Sequence, residues 1–466
     1  MMNKPASIAI VGAGCSGTLL AVHLLKKTTQ PLTIYLIERN PRQYGEGVAY
    51  STSAACHLLN VPAANMSAFP EDPSHFFRWA QENEKKLLDL RWITEVAPSA
   101  FLSRRSYGEY LSQILGEAEK TASGGGRLQR VIDEVVGVCI EANGVCLQLS
   151  SGEKLYAGRV VLALGNFLPG NPIVADPGFY KSAHYQGNPW SAEGYEALLS
   201  TESCLLIGSG LTMADLCMNL KEAGYAGAIH ILSRRGLWPK AHKLGPPADF
   251  SIDSDQQRPT IRNWLHTVRE YIRSSGCNWR YVMDALRPSS QQLWKALSVA
   301  EQRRFLRHLR PYWDLHRHRL APLVAEQLNE LLRSGQLTRH VGRILNYQML
   351  GEKVEVTLKA RSAMENETFL VDRVVNCAGS ESDYRKLDQP LILNLLSQKL
   401  VCSDALALGL ITNTDGALID ADGIVSNKLY TLGPPQKGML WESTAVPELR
   451  VQAMKLANTL LAEYKN

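Results

Sequence analysis

The sequence predicts an α/β protein with two related lobes, each built on a parallel β-sheet. Two observations carry this prediction. A unit of strand, glycine-rich loop, helix and strand begins near Gly12 and again near Gly208, and an antiparallel meander leading to a strand that stops at glycine also occurs twice. The length of 466 residues is about three times the common domain size. The composition, 45% hydrophobic and 20% charged, excludes a disordered or fibrous chain.

The first loop has the glycine spacing of a dinucleotide-binding fingerprint. A buried strand is predicted over 7–11, then come Gly12, Gly14 and Gly17, and a helical pattern covers 18–27. The first glycine permits a tight turn, the second lets backbone approach a pyrophosphate, and the third lets the helix pack on the strand. The N-terminus of the helix then offers N–H groups to the phosphates.

The next strand, predicted over 32–37, ends at Glu38. A carboxylate at this place accepts hydrogen bonds from the ribose hydroxyls of a dinucleotide. The first lobe is therefore predicted to hold a dinucleotide with a free ribose. The alternative is a glycine-rich turn in an unrelated α/β protein.

The second loop follows a strand predicted over 204–207 and precedes a helix that runs to about residue 223. Its three close-approach positions are occupied by Gly208, Gly210 and Ala214. The spacing predicts a second dinucleotide site.

The strand that follows, 228–232, ends differently from its counterpart in the first lobe. Ser233, Arg234 and Arg235 stand where the first lobe has an acid. Guanidinium groups at this place bind a ribose 2′-phosphate through charge-assisted hydrogen bonds. The second lobe is therefore predicted to bind NADP(H), the alternative being a solvated strand end.

The two meanders define the domain organisation. One covers 127–165 and ends at Gly165, a predicted cofactor-binding residue, and the other covers 337–379. We predict a first domain over 1–170, a second over 171–375, and completion of the first by 376–466. Within the second domain, 240–335 is helical in pattern and rich in Arg and Trp. A segment of this length is expected to form a subdomain.

The basic helical segment has three interpretations. Nucleic-acid binding is disfavoured because the net charge of the chain is only +5 and the tryptophans stand beside leucines at helical spacing. An anionic small molecule or carrier-bound substrate uses the arginines better. The third interpretation is a purely structural role, either in packing or in homo-oligomerisation.

Other sequence features bear on membrane spans, disulfides and the cellular compartment. No uncharged apolar run reaches the ~18 residues of a membrane span. The nine cysteines contain no C-x-x-C pair, which predicts reduced thiols in the cytoplasm and no structural metal site.

Two dinucleotide sites in one chain point to FAD and NADP(H). The sequence resembles the flavoproteins with two dinucleotide-binding domains, in which a Rossmann-like NADP domain is inserted in a Rossmann-like FAD domain. Disulfide reductases of that class need a redox cysteine pair, which this chain lacks.

One stretch, 59–69, is similar to a segment of the flavin-dependent monooxygenases whose asparagine lies beside the flavin. Asn60 matches that asparagine. The resemblance implies that Asn60 is a catalytic residue that helps to hold the oxygenated flavin. The alternative for Asn60 is a turn or cap residue.

Over nearly its full length the chain resembles a bacterial group of FAD/NAD(P)-binding proteins. The sequence segments that carry this resemblance are 47–52, 104–111, 311–319 and 438–444. Related flavoproteins finish the FAD site with Gly-Asp, and this chain has Gly433 followed by Pro434. The resemblance implies that Gly433 and the nearby Trp441 belong to the cofactor site.

The resemblance implies an NADPH-dependent FAD oxidoreductase of monooxygenase type. NADPH would reduce the flavin, O₂ would be activated at C4a, and oxygen would pass to a small or carrier-bound substrate. One alternative is an NAD(P)H-dependent flavin reductase or dehydrogenase without oxygen transfer. Another is a flavin-dependent binding or sensing protein.

Overall fold

The computed structural model describes residues 6–88, 91–122, 124–253, 259–361, 365–462 and 464. The strands are β1 (Ala6–Val11), β2 (Leu32–Glu38), β3 (Gly126–Ile132), β4 (Val135–Glu141), β5 (Gly144–Leu149), β6 (Lys154–Ala157), β7 (Arg159–Leu162), β8 (Tyr185–Gln186), β9 (Ser203–Ile207), β10 (Ala228–Ser233), β11 (Leu337–Leu350), β12 (Lys353–Ala360), β13 (Asn366–Val371), β14 (Arg373–Asn376), β15 (Ala417–Ile419) and β16 (Val425–Thr431).

The helices are α1 (Cys15–Lys27), α2 (Gly47–Tyr50), α3 (His75–Glu82), α4 (Glu84–Leu88), α5 (Arg104–Lys120), α6 (Ala192–Leu199), α7 (Leu211–Glu222), α8 (Ile261–Ser275), α9 (Trp279–Leu286), α10 (Ser290–Ala296), α11 (Val299–His308), α12 (Arg310–Arg317), α13 (Pro322–Arg333), α14 (Pro390–Ser397), α15 (Lys437–Leu440) and α16 (Val446–Ala462). Among the described residues, every helix is too short or too polar to span a lipid bilayer.

The first lobe contains a sheet of order β15-β16-β7-β1-β2-β3. β1 lies at its centre, parallel to both β2 and β7, and its last four residues are buried. Helices α1 and α16 pack together on one face. β16 pairs in parallel with β7, so the C-terminal segment completes this lobe. The predicted α/β fold, with one lobe inserted in the other, is confirmed.

The second lobe contains a sheet of order β13-β12-β11-β10-β9-β14-β8. β9 is fully buried and parallel to β10 and β14. β11 has 14 residues, and its first part runs parallel to β10 while the rest is antiparallel to β12. In the first lobe the corresponding meander, β4-β5-β6, forms a separate sheet. The two meanders therefore share an order of strands but not a connection to the parallel sheet.

The helical segment divides into two parts by its contacts. Side chains from α8, α10 and α11 enclose an aromatic core that includes Trp264, Trp294 and Phe305, joined by Leu408 and Trp441 of the C-terminal segment. Helix α13 instead packs against α7 and β11 of the second lobe. A parallel pair such as β10 and β11 requires a crossover of this kind.

Candidate functional site

The first glycine loop lies between the end of β1 and the start of α1. Gly12 has φ +105°, and a Cβ there would lie 2.4 Å from the carbonyl oxygen of Ala163, just after β7. Only glycine fits this turn. A Cβ on Gly14 would lie 3.4 Å from the Cα of Gly47, in the space directly beside the start of α1. The loop therefore leaves the N-terminus of α1 open to a phosphate group.

Glu38 is held at the edge of the same loop. Its Oε2 accepts a hydrogen bond of 3.1 Å from Ala13 N, and its Oε1 accepts one of 3.1 Å from Asn40 N. Each carboxylate oxygen has room for a further donor. Gly12, Gly14, Gly17 and Glu38 thus lie together at one loop, and the binding of a ribose by Glu38 stays a prediction.

The C-terminal segment reaches the first loop at Gly433. This residue has φ +80°, and a Cβ on it would lie 2.9 Å from Ser16 Oγ at the start of α1. Gln452 of α16 fixes the turn, because its Oε1 accepts a hydrogen bond of 3.0 Å from Gly433 N. The sequence predicted Gly433 but not Ser16 or Gln452, since nothing local marks a contact between α1, α16 and this turn.

Gly165 lies at the same edge of the sheet, three residues beyond β7. Its φ is +66°, and no atom lies within 4 Å of the position of a Cβ. The neighbouring Asn166 accepts a hydrogen bond of 3.4 Å from Ser380 Oγ, which follows β14 of the second lobe. The two strands that end in glycine therefore meet across the boundary between the lobes.

The second glycine loop repeats the geometry of the first. Gly208 has the same φ, +105°, and a Cβ on it would lie 2.7 Å from Cys377 O, just after β14. A Cβ on Gly210, at the start of α7, would meet no atom within 4 Å. Ser209 Oγ donates a hydrogen bond of 2.7 Å to Leu237 O and ties the loop to the chain after β10.

Arginines gather at the carboxyl end of β10. Arg234 and Arg235 are both exposed, and Arg235 donates a hydrogen bond of 3.2 Å to Arg307 O of α11. Ser233 Oγ accepts from Gly236 N at 3.1 Å and shapes the turn. Arg339 on β11 donates to Gly236 O at 2.6 Å. Arg339 was not predicted, because its strand is distant in sequence.

A buried ion pair joins the lobes between the two loops. Arg104 Nη2 of α5 lies 3.0 Å from Asp215 Oδ2 of α7, and both side chains are largely shielded from solvent. Beside it, Cys56 Sγ donates to Asn219 Oδ1 at 3.1 Å. His57, which is buried, follows Cys56. Arg104 belongs to a phrase shared with the bacterial group, but only the fold shows its partner.

Asn60 lies in the segment 58–64, which hydrogen-bonds to residues 98–102. Its carbonyl oxygen accepts a hydrogen bond of 2.9 Å from His242 Nε2. Its side chain makes no hydrogen bond with any residue that the structure describes. Burial, and then the guanidinium of Arg319, lower the pKa of His242 to about 4. His242 is therefore a neutral donor at physiological pH, and it was not predicted.

Trp441 forms a strained turn. Its φ is +60° and its ψ −63°, and Glu442 N donates a hydrogen bond of 2.7 Å to Leu440 O, which closes a three-residue γ-turn. The indole stacks on Trp294 at 5.1 Å between ring centroids and meets Phe305 edge-on at 5.0 Å. Trp441 was predicted as a cofactor-binding residue, and its side chain lies in the core of the helical segment.

The side chain of Glu442 lies in a buried cluster of charges. Its Oε1 lies 3.9 Å from Arg317 Nε, and Arg317 Nη2 lies 3.5 Å from Glu448 Oε1. Burial acts to raise the pKa of Glu442, but Arg317, His318 and the Trp313 N–H together hold it below its ordinary value. This cluster brings the sequence segments 311–319 and 438–444 into contact.

Comparison with known proteins shows which proteins share this fold. Residues 9–167 match a family described as FAD-NAD(P)-binding. The chain is similar to the reduced form of ornithine hydroxylase from Pseudomonas aeruginosa, with a TM-score of 0.66, 15% identity, and coverage of 99% of this chain and 100% of the other. The chain has the fold of a two-domain flavin monooxygenase. A search of curated proteins found no match.

Two further structures agree. The ornithine N-hydroxylase of Kutzneria sp. 744 has a TM-score of 0.64 and 14% identity, with 100% of both chains covered. The L-lysine 6-monooxygenase of Pseudomonas syringae has a TM-score of 0.63 and 14% identity, with 98% of this chain and 99% of the other covered. The recognition made from the sequence is supported for the fold across the whole chain.

The first lobe fits FAD by its own geometry. Gly14 presents backbone without a side chain at the N-terminus of α1, which suits a pyrophosphate, and the Glu38 carboxylate, bonded to Ala13 N, suits an adenosine ribose. The turn at Gly433 closes on Ser16 without a side chain between them. Pro434 brings no carboxylate to this turn.

Proposed function

We propose that this protein is an NADPH-dependent FAD oxidoreductase of the monooxygenase type. One observation carries the proposal: a single fold holds two dinucleotide loops, one with a carboxylate and the other with arginines at the ribose position. The first selects a free ribose and the second a 2′-phosphate. The fold similarity to ornithine and lysine hydroxylases supports the oxygenase half of the proposal.

FAD would lie across the first lobe. Gly12, Gly14 and the start of α1 would hold the pyrophosphate, Glu38 would hold the ribose, and the backbone of Gly433 would contact the cofactor. Bound FAD supplies hydride acceptance and the activation of O₂. The protein supplies orientation and a boundary to water at the reacting end.

NADPH would lie on the second lobe. Gly208 and Gly210 leave the start of α7 open to its pyrophosphate, and Arg234, Arg235 and Arg339 supply positive charge for the 2′-phosphate. The Arg104–Asp215 ion pair holds α7 against α5 of the first lobe. This contact would help to hold the two bound cofactors in a fixed relation for hydride transfer.

Asn60 is the residue we propose to act at the reacting end. Its carbonyl is fixed by His242, while its carboxamide has no protein partner among the described residues. A positioned amide that is free to donate can stabilise negative charge that develops on oxygen. The side chain of a turn or cap residue would hydrogen-bond to the backbone, and the Asn60 side chain makes no such bond with the described residues.

The substrate we propose is a small nucleophilic amine, since the similar structures are hydroxylases of ornithine and lysine. A reductase, a sensor and an oxygenase differ in their products. NADPH oxidation, O₂ consumption, H₂O₂ and hydroxylated amine should be measured together, with ornithine, lysine and simple diamines as substrates. Hydroxylated product is expected. NADPH consumption with H₂O₂ alone would leave only the reductase, and no NADPH turnover would leave the sensor.

An anionic or carrier-bound substrate, a homo-oligomer formed through the helical segment, and a cytoplasmic location remain proposals. The free thiols, including the exposed Cys139, support a reducing compartment. Light scattering of the purified protein tests the oligomer.

A further inference from the structure

A cavity of about 500 Å³ lies apart from both glycine loops. It is a groove lined by residues of α10, of α16 and of the C-terminal segment between residues 414 and 440. Its lining includes apolar side chains such as Met439 and Val451. Its volume lies in the range of small-molecule sites.

Charge in this groove is unbalanced. Four cations line it, Arg287, Lys295, Arg450 and Lys455, against two carboxylates, Asp415 and Glu448. Arg287 Nε pairs with Glu448 at 2.9 Å, and Lys455 pairs with Asp415 at 3.1 Å. Both carboxylates are thereby neutralised within the groove.

The two remaining cations, Lys295 and Arg450, make no ion pair with any residue that the structure describes. Arg450 donates through Nη1 to Ser67 O at 3.1 Å, but its Nε is buried without a partner. The Nε2 of Gln452, also at the groove, is buried without a partner. Lys295 makes no hydrogen bond or ion pair within the described residues, and partial burial, then Lys455, lower its pKa.

We propose that this groove binds an organic anion, with a carboxylate or phosphate head near Lys295 and Arg450 and an apolar body along Met439 and Val451. The anionic head of such a molecule would accept hydrogen bonds from the unpartnered donors, and its apolar body would cover the apolar side chains. The site does not depend on the proposed oxygenase activity. It borders the proposed flavin site at the Gly433 turn, where Leu432, Gln436 and Gln452 line the groove and Gln452 Oε1 accepts a hydrogen bond from Gly433 N.

The test is isothermal titration of the FAD-saturated full-length protein without NADPH. Hexanoate and hexyl phosphate are the anionic probes, and hexanol and hexylammonium have the same chain without the anion. Binding of an anion and not of the other two is expected. The stronger of the two anions identifies the head group.

Two variants locate the binding. Lys295→Met should weaken anion binding on the order of tenfold, the effect of one charge-assisted hydrogen bond, whereas Lys154→Met on exposed β6 should not. Val451→Trp should fill the groove and abolish binding. Val425 has the same exposure as Val451, 48%, but lies outside the groove, so Val425→Trp is its control.

Three results would overturn the proposal: anions bind no better than hexanol, both groove variants bind like the wild type, or FAD saturation displaces the anion. The last would make the groove part of the flavin site. None of them involves NADPH turnover, so failure here is distinct from failure of the proposed function.

Discussion

Trp313 Nε1 donates a hydrogen bond of 2.9 Å to Glu442 Oε1. The indole belongs to α12 of the helical segment, and the carboxylate follows the γ-turn of the C-terminal segment. With Arg317 and Glu448 this contact joins the helical segment to the N-terminus of α16. The helical segment is therefore fastened to the first lobe, although it is inserted in the second.

Replacing Glu442 should show the strength of this connection. Glu442→Gln leaves Arg287 and Arg317 to share the single carboxylate of Glu448, so the loss of unfolding free energy should be clear but smaller than that of a fully broken buried pair, about 3–5 kcal/mol. Because the pKa of Glu442 is lowered, the pair stabilises the protein above pH 4.5, its ordinary value, and this stability is lost as the pH falls further. Urea unfolding across this range measures both effects. Glu326→Gln on the exposed face of α13 serves as the control, and equal midpoints in the two variants would refute the prediction.

FAD binding should depend on Gly14. In Gly14→Ala the new methyl group occupies the space proposed for the pyrophosphate, and affinity should fall at least about tenfold. Flavin absorbance per protein and fluorescence titration give the two affinities. Gly116→Ala, at a helical glycine with no atom within 4 Å of a Cβ, should leave FAD binding unchanged. Normal affinity in the Gly14 variant would mean that the phosphate lies elsewhere.

The preference for NADPH should reside in Arg234 and Arg235. Loss of charge-assisted bonds to a phosphate costs about 1.5–3 kcal/mol, roughly 10- to 150-fold in affinity. The double alanine variant should bind NADH as before and NADPH more weakly, and Arg339→Ala should show a smaller loss of the same kind. Arg262→Ala, exposed on α8, is the control. A double variant with unchanged preference would remove the NADP assignment.

Asn60 should control the coupling of oxygen to substrate. Asn60→Ala should leave flavin content and the rate of flavin reduction nearly unchanged and raise H₂O₂ per NADPH, since one lost donor in a dry site is worth roughly 2.7–4 kcal/mol. If Asn60 were only a turn residue, the variant would instead lose about 1 kcal/mol of stability with coupling intact. H₂O₂ yield and thermal midpoint, measured on both proteins, separate the two outcomes.

His242 should make the protein less stable in mild acid. Its pKa is lowered to about 4 in the folded chain, so the unfolded chain binds more protons as the pH falls from 6.5 towards that value. Stability should decline through this interval and less steeply in His242→Gln, which keeps a donor for the Asn60 carbonyl. Chemical unfolding at several pH values tests this, and parallel curves for the two proteins would contradict it.

Distance along the chain decides which features of the site could be predicted from the sequence. The glycine loops, Glu38 and Arg234 are local: a strand, a turn and a helix N-terminus fix them within a few residues. Gln452 on Gly433, His242 on Asn60 and Arg339 near Arg235 depend on which strands and helices become neighbours, and a single sequence carries no such signal. The side-chain direction of Trp441 follows from a positive φ at a non-glycine residue, which no local pattern announces.

The place of β16 in the first sheet has a consequence for how the chain folds during synthesis. Thr431 Oγ1 donates to Leu162 O across a sequence separation of 269 residues. The amino-terminal lobe therefore lacks one of its inner strands until the ribosome has made residues 425–431, while the inserted lobe has all its described strands by Asn376. Contacts of such separation form slowly. The later lobe in the sequence is thus expected to fold first, leaving the edge of β7 unpaired in the nascent chain.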